Sequence, residues 1–95
     1  MATVVGYHLP SDCSIAQIES LHRDLTRLLD AGSAVDFHCD AVNRIDAVGV
    51  QTLLAFVAAM TNQGLKWQWQ NPSARLCSAV RLLGVGQLLN FPMSD

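Results

Sequence analysis

Hydrophobic and polar positions along this chain follow two periods that trade places. From Thr3 to Leu9 they alternate, with Thr3, Val5, Tyr7 and Leu9 on one side and Val4, Gly6 and His8 on the other. That is the two-residue repeat of a β-strand. Pro10 ends it, because proline has no N–H to give to a ladder. The spacing then lengthens. Ile15, Ile18, Leu21, Leu25, Leu28 and Leu29 recur at helical intervals and predict a helix over Ser14 to Asp30. Ser14 suits its N-cap, Gln17 completes a capping box, and Gly32 offers a left-handed stop. Glu19, Arg23, Asp24 and Arg27 make an ordinary solvated face.

Alternation returns from Ala34 to Cys39, where Val35, Phe37 and Cys39 face away from Asp36 and His38. The connection from Ala41 to Gly49 has no firm period. A second helix follows from Val48 to Asn62, with Val50, Leu53, Leu54, Val57 and Met60 along one side, and Gly64 closes it. In the strand from Leu65 to Gln70, Leu65, Trp67 and Trp69 oppose Lys66, Gln68 and Gln70. Asn71-Pro72-Ser73 then starts a third helix, since Pro72 is pre-set for a first turn. Its buried stripe is Leu76, Val80 and Leu83, and Gly84 stops it. Gln87 to Phe91 reads as a short final strand or a last turn, with Pro92 ending any ordered element.

The order β-α-β-α-β-α predicts an α/β fold with a mainly parallel sheet of about four strands. Parallel strands covered on both faces read as continuous apolar runs. Here the second face is polar, through Asp36, His38, Lys66, Gln68 and Gln70. Helices therefore crowd mostly on one face and the other stays wet. The 95 residues make a single domain, 1–95, with 51% hydrophobic and 15% charged residues, enough apolar material for a core.

Composition removes several functions. A net charge of −2 provides no basic field for a nucleic-acid backbone. No basic leader opens the chain, and the apolar run from Leu53 to Met60 is too short to span a bilayer, so a cytoplasmic, non-inserted protein is expected. The three cysteines, Cys13, Cys39 and Cys77, are odd in number and widely spaced, which suits reduced, packed thiols. Asp36, His38 and Asp40 could share a strand face with His8 beside them. No spacing there matches a metal motif, and a solvated polar face is the expectation. No nucleophile elbow or phosphate-binding loop occurs, so neither catalytic residue nor cofactor is expected. Trp67 and Trp69 are expected to be core.

One segment remains: Ile45-Asp46-Ala47-Val48-Gly49-Val50, where a connection meets a helix start. Asp46 suits the N-cap. With the preceding strand, the following amphipathic helix, Gly64, the next strand, Asn71-Pro72-Ser73 and Leu82-Leu83-Gly84-Val85, this D-x-x-G segment resembles a STAS domain. The opening from Leu9-Pro10-Ser11 through Leu29 is similar to the shortened start of the lipid-asymmetry-type STAS subgroup. The resemblance covers nearly the whole chain.

That resemblance implies a non-enzymatic protein–protein interaction module, like an anti-sigma-factor antagonist, with Asp46, Ala47, Val48, Gly49 and Val50 as partner-binding residues. In such antagonists a partner that is both anti-sigma factor and serine kinase phosphorylates a Ser or Thr directly after the motif Asp, and the charge breaks the complex. Here that position is Ala47, so the phospho-acceptor is missing and a constitutive binder is expected. The same fold also fits a soluble subunit of a phospholipid-transport ABC system, or an accessory protein of a chemosensory or signalling complex. A wet or edge-exposed sheet could also pair two copies in a homodimer.

Overall fold

The computed structural model describes residues 4–91. The expected strand start at Thr3 and the stop at Pro92 lie outside them. Among the described residues five strands and four α-helices follow in order: β1 (Val4–His8), β2 (Asp12–Cys13), a 3-10 turn (Ile15–Gln17), α1 (Ile18–Ala31), β3 (Ala34–His38), β4 (Arg44–Ile45), α2 (Ala47–Asn62), β5 (Trp67–Gln70), α3 (Ala74–Leu83) and α4 (Gly86–Leu89).

The α/β fold and parallel pairing are as the sequence predicts, but the strands divide into two sheets. β1, β3 and β5 form a three-stranded sheet in that order, and β2 pairs with β4 in a small second one. Every pairing is parallel. α1 carries β1 to β3 and α2 carries β3 to β5, so both crossovers step the same way across the sheet. Right-handed crossovers stepping in one direction lay their helices on one face. That explains the alternating strands. Val35, Phe37 and Trp69 are buried under the helices, while Gly6, His8 and Gln68 are exposed on the other side.

Aromatic rings hold the centre. Phe37 is fully buried. It stacks on Trp69 at 4.6 Å and meets Phe56 of α2 edge-on at 5.7 Å. α2 is a 16-residue helix without a charged side chain, and it buries Val50, Leu53, Phe56, Val57 and Met60. Trp67 and Trp69 both donate their indole N–H to the Leu89 carbonyl, each at 2.9 Å, which ties α4 to β5. Trp69 is core, as expected, while Trp67 is half-buried and packs against the core, and the open final segment is a helical turn rather than a strand.

The first helix departs from its prediction. Ser14 does cap, accepting from the Ala16 N–H at 3.3 Å, but what it caps is the 3-10 turn. Gln17 makes no side-chain cap bond, so there is no capping box. Ile15 therefore leaves the helical stripe and stands 64% exposed. Asp24 accepts a hydrogen bond from the Tyr7 hydroxyl at 2.9 Å, joining α1 to β1 instead of facing solvent alone. Leu83, expected in the α3 core stripe, is 45% exposed because only Leu76 and Val80 reach beneath the helix. Gly32 takes φ 70° at the end of α1, the left-handed stop that its lack of a Cβ permits.

Candidate functional site

β2 and β4 decide where the α2 N-terminus lies. Beyond the ends of β1 and β3 the chain pairs again, Asp12 with Arg44 and Cys13 with Ile45. The Asp12 carboxylate accepts the Ser14 N–H at 2.9 Å. Hydrogen bonds from Ser14 and the positive charge of Arg44 hold Asp12 below its ordinary range. This fixes the 3-10 turn directly beside the start of α2.

Asp46 joins the two. It has extended backbone, φ −130° and ψ −176°, and its Oδ1 accepts the Gly49 N–H at 3.0 Å as an N-cap. Its Oδ2 accepts the Ile15 N–H at 2.9 Å from the other side. One carboxylate thus satisfies an orphan donor of α2 and a donor of the 3-10 turn. Those two bonds, from Ile15 first and Gly49 second, hold its carboxyl below the usual value of 3.8.

Gly49 is needed for space. Its φ is not in the left-handed region, but an added Cβ would fall on the carbonyl oxygen of Cys13 and lie 3.0 Å from Cγ1 of Ile45. The first turn of α2 therefore rests directly on the β2 and β4 backbone. Asp46 and Gly49, three positions apart, secure the same junction by a hydrogen bond and by the absence of a side chain.

The structure sorts the five candidate residues. Ala47 is exposed at the first position of α2, Asp46 and Val48 are partly exposed, and Gly49 and Val50 are buried. Ile15 joins the exposed set. The sequence reading missed it as a surface residue, although Pro10-Ser11-Asp12 just before Ser14 is turn chemistry and marks chain not yet α-helical. The accessible surface is thus an apolar patch of Ile15, Ala47 and Val48 around a clamped carboxylate. From Val48 it runs into a groove of about 350 Å³ between α1 and α2, floored by Leu25, Leu29 and Phe56. Thr26 and Thr52 also line it, and each donates its hydroxyl to a carbonyl of its own helix at 2.8 Å.

The other candidate chemistry is dispersed. His8 and His38 stack on the wet face with ring centroids 4.5 Å apart. Among the described residues no group of three or more His, Cys, Asp or Glu side chains comes together in a way that could hold a metal ion. Cys13 and Cys39 are buried, and burial pushes their thiols up to about 11 and about 12. Among the described residues no helix is long and apolar enough to cross a membrane.

Comparison with known proteins bears on this arrangement. A family model described as STAS domain matches residues 2–94. Among solved structures, a sulfate transporter family protein from Wolinella succinogenes has the same fold. Its TM-score is 0.74 at 20% identity, over 94% of this chain and 75% of that one. No curated protein matches the chain.

Proposed function

Because the chain belongs to the STAS domain family, we propose that it is a non-enzymatic protein-interaction module, similar to an anti-sigma-factor antagonist, that docks its partner through Ile15, Asp46, Ala47 and Val48 without a phospho-switch. Gly49 and Val50 belong to the same turn but are buried, and Gly49 acts from below by letting α2 rest on β2 and β4. The observation that carries the reading is the exposed Ala47 at the first turn of α2, next to a carboxylate already occupied by two backbone donors.

The physics of that position is simple. A helix N-terminus favours added negative charge, and a phosphoryl group on a hydroxyl here would bring about two such charges. Alanine has no oxygen to carry it. Position 47 stays uncharged and apolar beside the fixed charge of Asp46, and a partner that reads the unmodified surface finds it always in the binding state. The groove continuing from Val48 gives such a partner room for an apolar side chain or helix edge.

The test is capture of native partners by wild type, Ala47→Glu and Ile15→Asp proteins, each verified as folded by circular dichroism. A protein bound by wild type and lost from both variants supports the docking surface, and its identity tells a kinase-type anti-sigma factor from a lipid-transport ATPase or a chemosensory component. If all three baits retain the same proteins, docking lies elsewhere on the fold.

A further inference from the structure

We propose that the outer edge of β1 is an interface between two copies of this chain, pairing β1 with β1 antiparallel about a two-fold axis at Gly6. In the order β1-β3-β5, β1 is an edge strand. The Leu9 N–H donates to the His38 carbonyl at 2.9 Å, so Leu9 directs its backbone groups toward β3. By the alternation of a parallel ladder, Tyr7 and Val5 do the same. Val4, Gly6 and His8 then direct theirs away from the sheet. All three are exposed, Val4 by 56%, and no described residue pairs with them.

Edges of this kind are normally blunted by charge, proline or a bulge. β1 has none of these. Its sequence is Val-Val-Gly-Tyr-His, and its register with β3 runs unbroken from Val4 opposite Ala34 to His8 opposite His38. The opposite edge is different. β5 is preceded at once by the charged Lys66 and followed at once by Asn71 in the left-handed region, φ 51°, whereas a proline two positions past the strand is common to both, Pro10 after β1 and Pro72 after β5.

A second copy fits this edge because the strand is complementary to itself. Centred on Gly6, the antiparallel register sets Gly6 against Gly6, Val4 against His8 and His8 against Val4. Each outward residue exchanges both backbone bonds and none is left over. On the helix side Val5 meets Tyr7 of the other copy, covering two residues that are only half-buried in one chain. Charge permits the approach. β1 carries no formally charged side chain, and Asp24 already accepts the Tyr7 hydroxyl. Asp36, level with Gly6 on the wet face, would lie three strand spacings from its counterpart, about 14 Å. That exceeds the ~8 Å screening length of physiological salt.

The experiment is sedimentation equilibrium on the full chain, with Gly6→Pro alongside. The Gly6 N–H points off the sheet, so proline there removes an outward donor and leaves the β1–β3 ladder intact. Wild type is expected to dimerise, and Gly6→Pro to raise the dissociation constant at least about tenfold, about 1.4 kcal/mol. Should Gly6→Pro fail to fold, Gly6→Lys replaces it by setting identical charges across the axis. Gly6→Cys in a Cys77→Ser background reads the register. Hydrogen-bonded antiparallel partners lie about 5.5 Å apart at Cα, within disulfide reach, so mild oxidation should give a covalent dimer that Asn62→Cys does not. A wild type that remains monomeric at its highest soluble concentration overturns the proposal. So does a dimer that a folded edge variant leaves unweakened, or one that Gly6→Cys cannot cross-link.

Discussion

The Asp46 carboxylate accepts the backbone N–H of Ile15, a residue 31 positions earlier, at 2.9 Å while its other oxygen caps Gly49 at 3.0 Å. Asp46→Ala should therefore loosen two segments at once. Amide hydrogen exchange is expected to accelerate at both Ile15 and Gly49, with the β1–β3–β5 sheet unaffected. Faster exchange at Gly49 alone would mean that Asp46 is only an ordinary cap.

The same carboxylate sets a pH dependence. Its two donors favour the ionised form, so its folded pKa lies below 3.8. For a depressed carboxyl, the stabilisation is present above the unfolded-state pKa and fades as pH falls through the folded value. The clamp should be fully formed at neutral pH and open only in acid. An NMR titration of the Ile15 and Gly49 amides should give a midpoint below 3.8, and Asp46→Asn should abolish the transition.

Gly49→Ala reverses the usual rule. In an open helix interior the change gains roughly 0.5–1 kcal/mol. Here the new methyl overlaps the Cys13 carbonyl oxygen, and overpacking costs typically about 1–3 kcal/mol or more. Urea unfolding should show a clear loss of stability. A stabilised Gly49→Ala would mean that α2 does not rest on β2.

Trp67 and Trp69 share the Leu89 carbonyl as acceptor. Either Trp→Phe change removes one donor and leaves the other, so each should cost about 1 kcal/mol. Removing both strands a buried acceptor, and the double variant should lose more than the sum of the singles. A double-mutant cycle measures this coupling.

Cysteine labelling checks the packing. Cys13 and Cys39 are buried, with thiols raised to about 11 and about 12, while Cys77 is half-exposed. Only Cys77 should react with a thiol reagent at neutral pH in the folded protein, and denaturant should release the other two.

The strand and helix periods, the α/β class, the one-sided burial of the sheet, the packing of Trp69 and the Asp46–Gly49 motif are all legible in the order of residues. These features are local. Each follows from side chains within a few positions of one another, and the alternation of Val35, Phe37 and Cys39 against Asp36 and His38 is enough to say which face is wet. The remaining features depend on contacts between distant parts of the chain. β2 and β4 are two residues each and have no readable period; they exist because the chain ends beyond β1 and β3 lie side by side. Their pairing places the Cys13 carbonyl under Gly49 and the Ile15 N–H beside Asp46. Neither contact has a local signature, since the partners are brought together by the β1–α1–β3 crossover. The exposure of Ile15 has the same origin. By spacing it belongs to a helix stripe, but Asp12 and Asp46 take the N–H groups of Ser14 and Ile15 and hold that segment outside the helix.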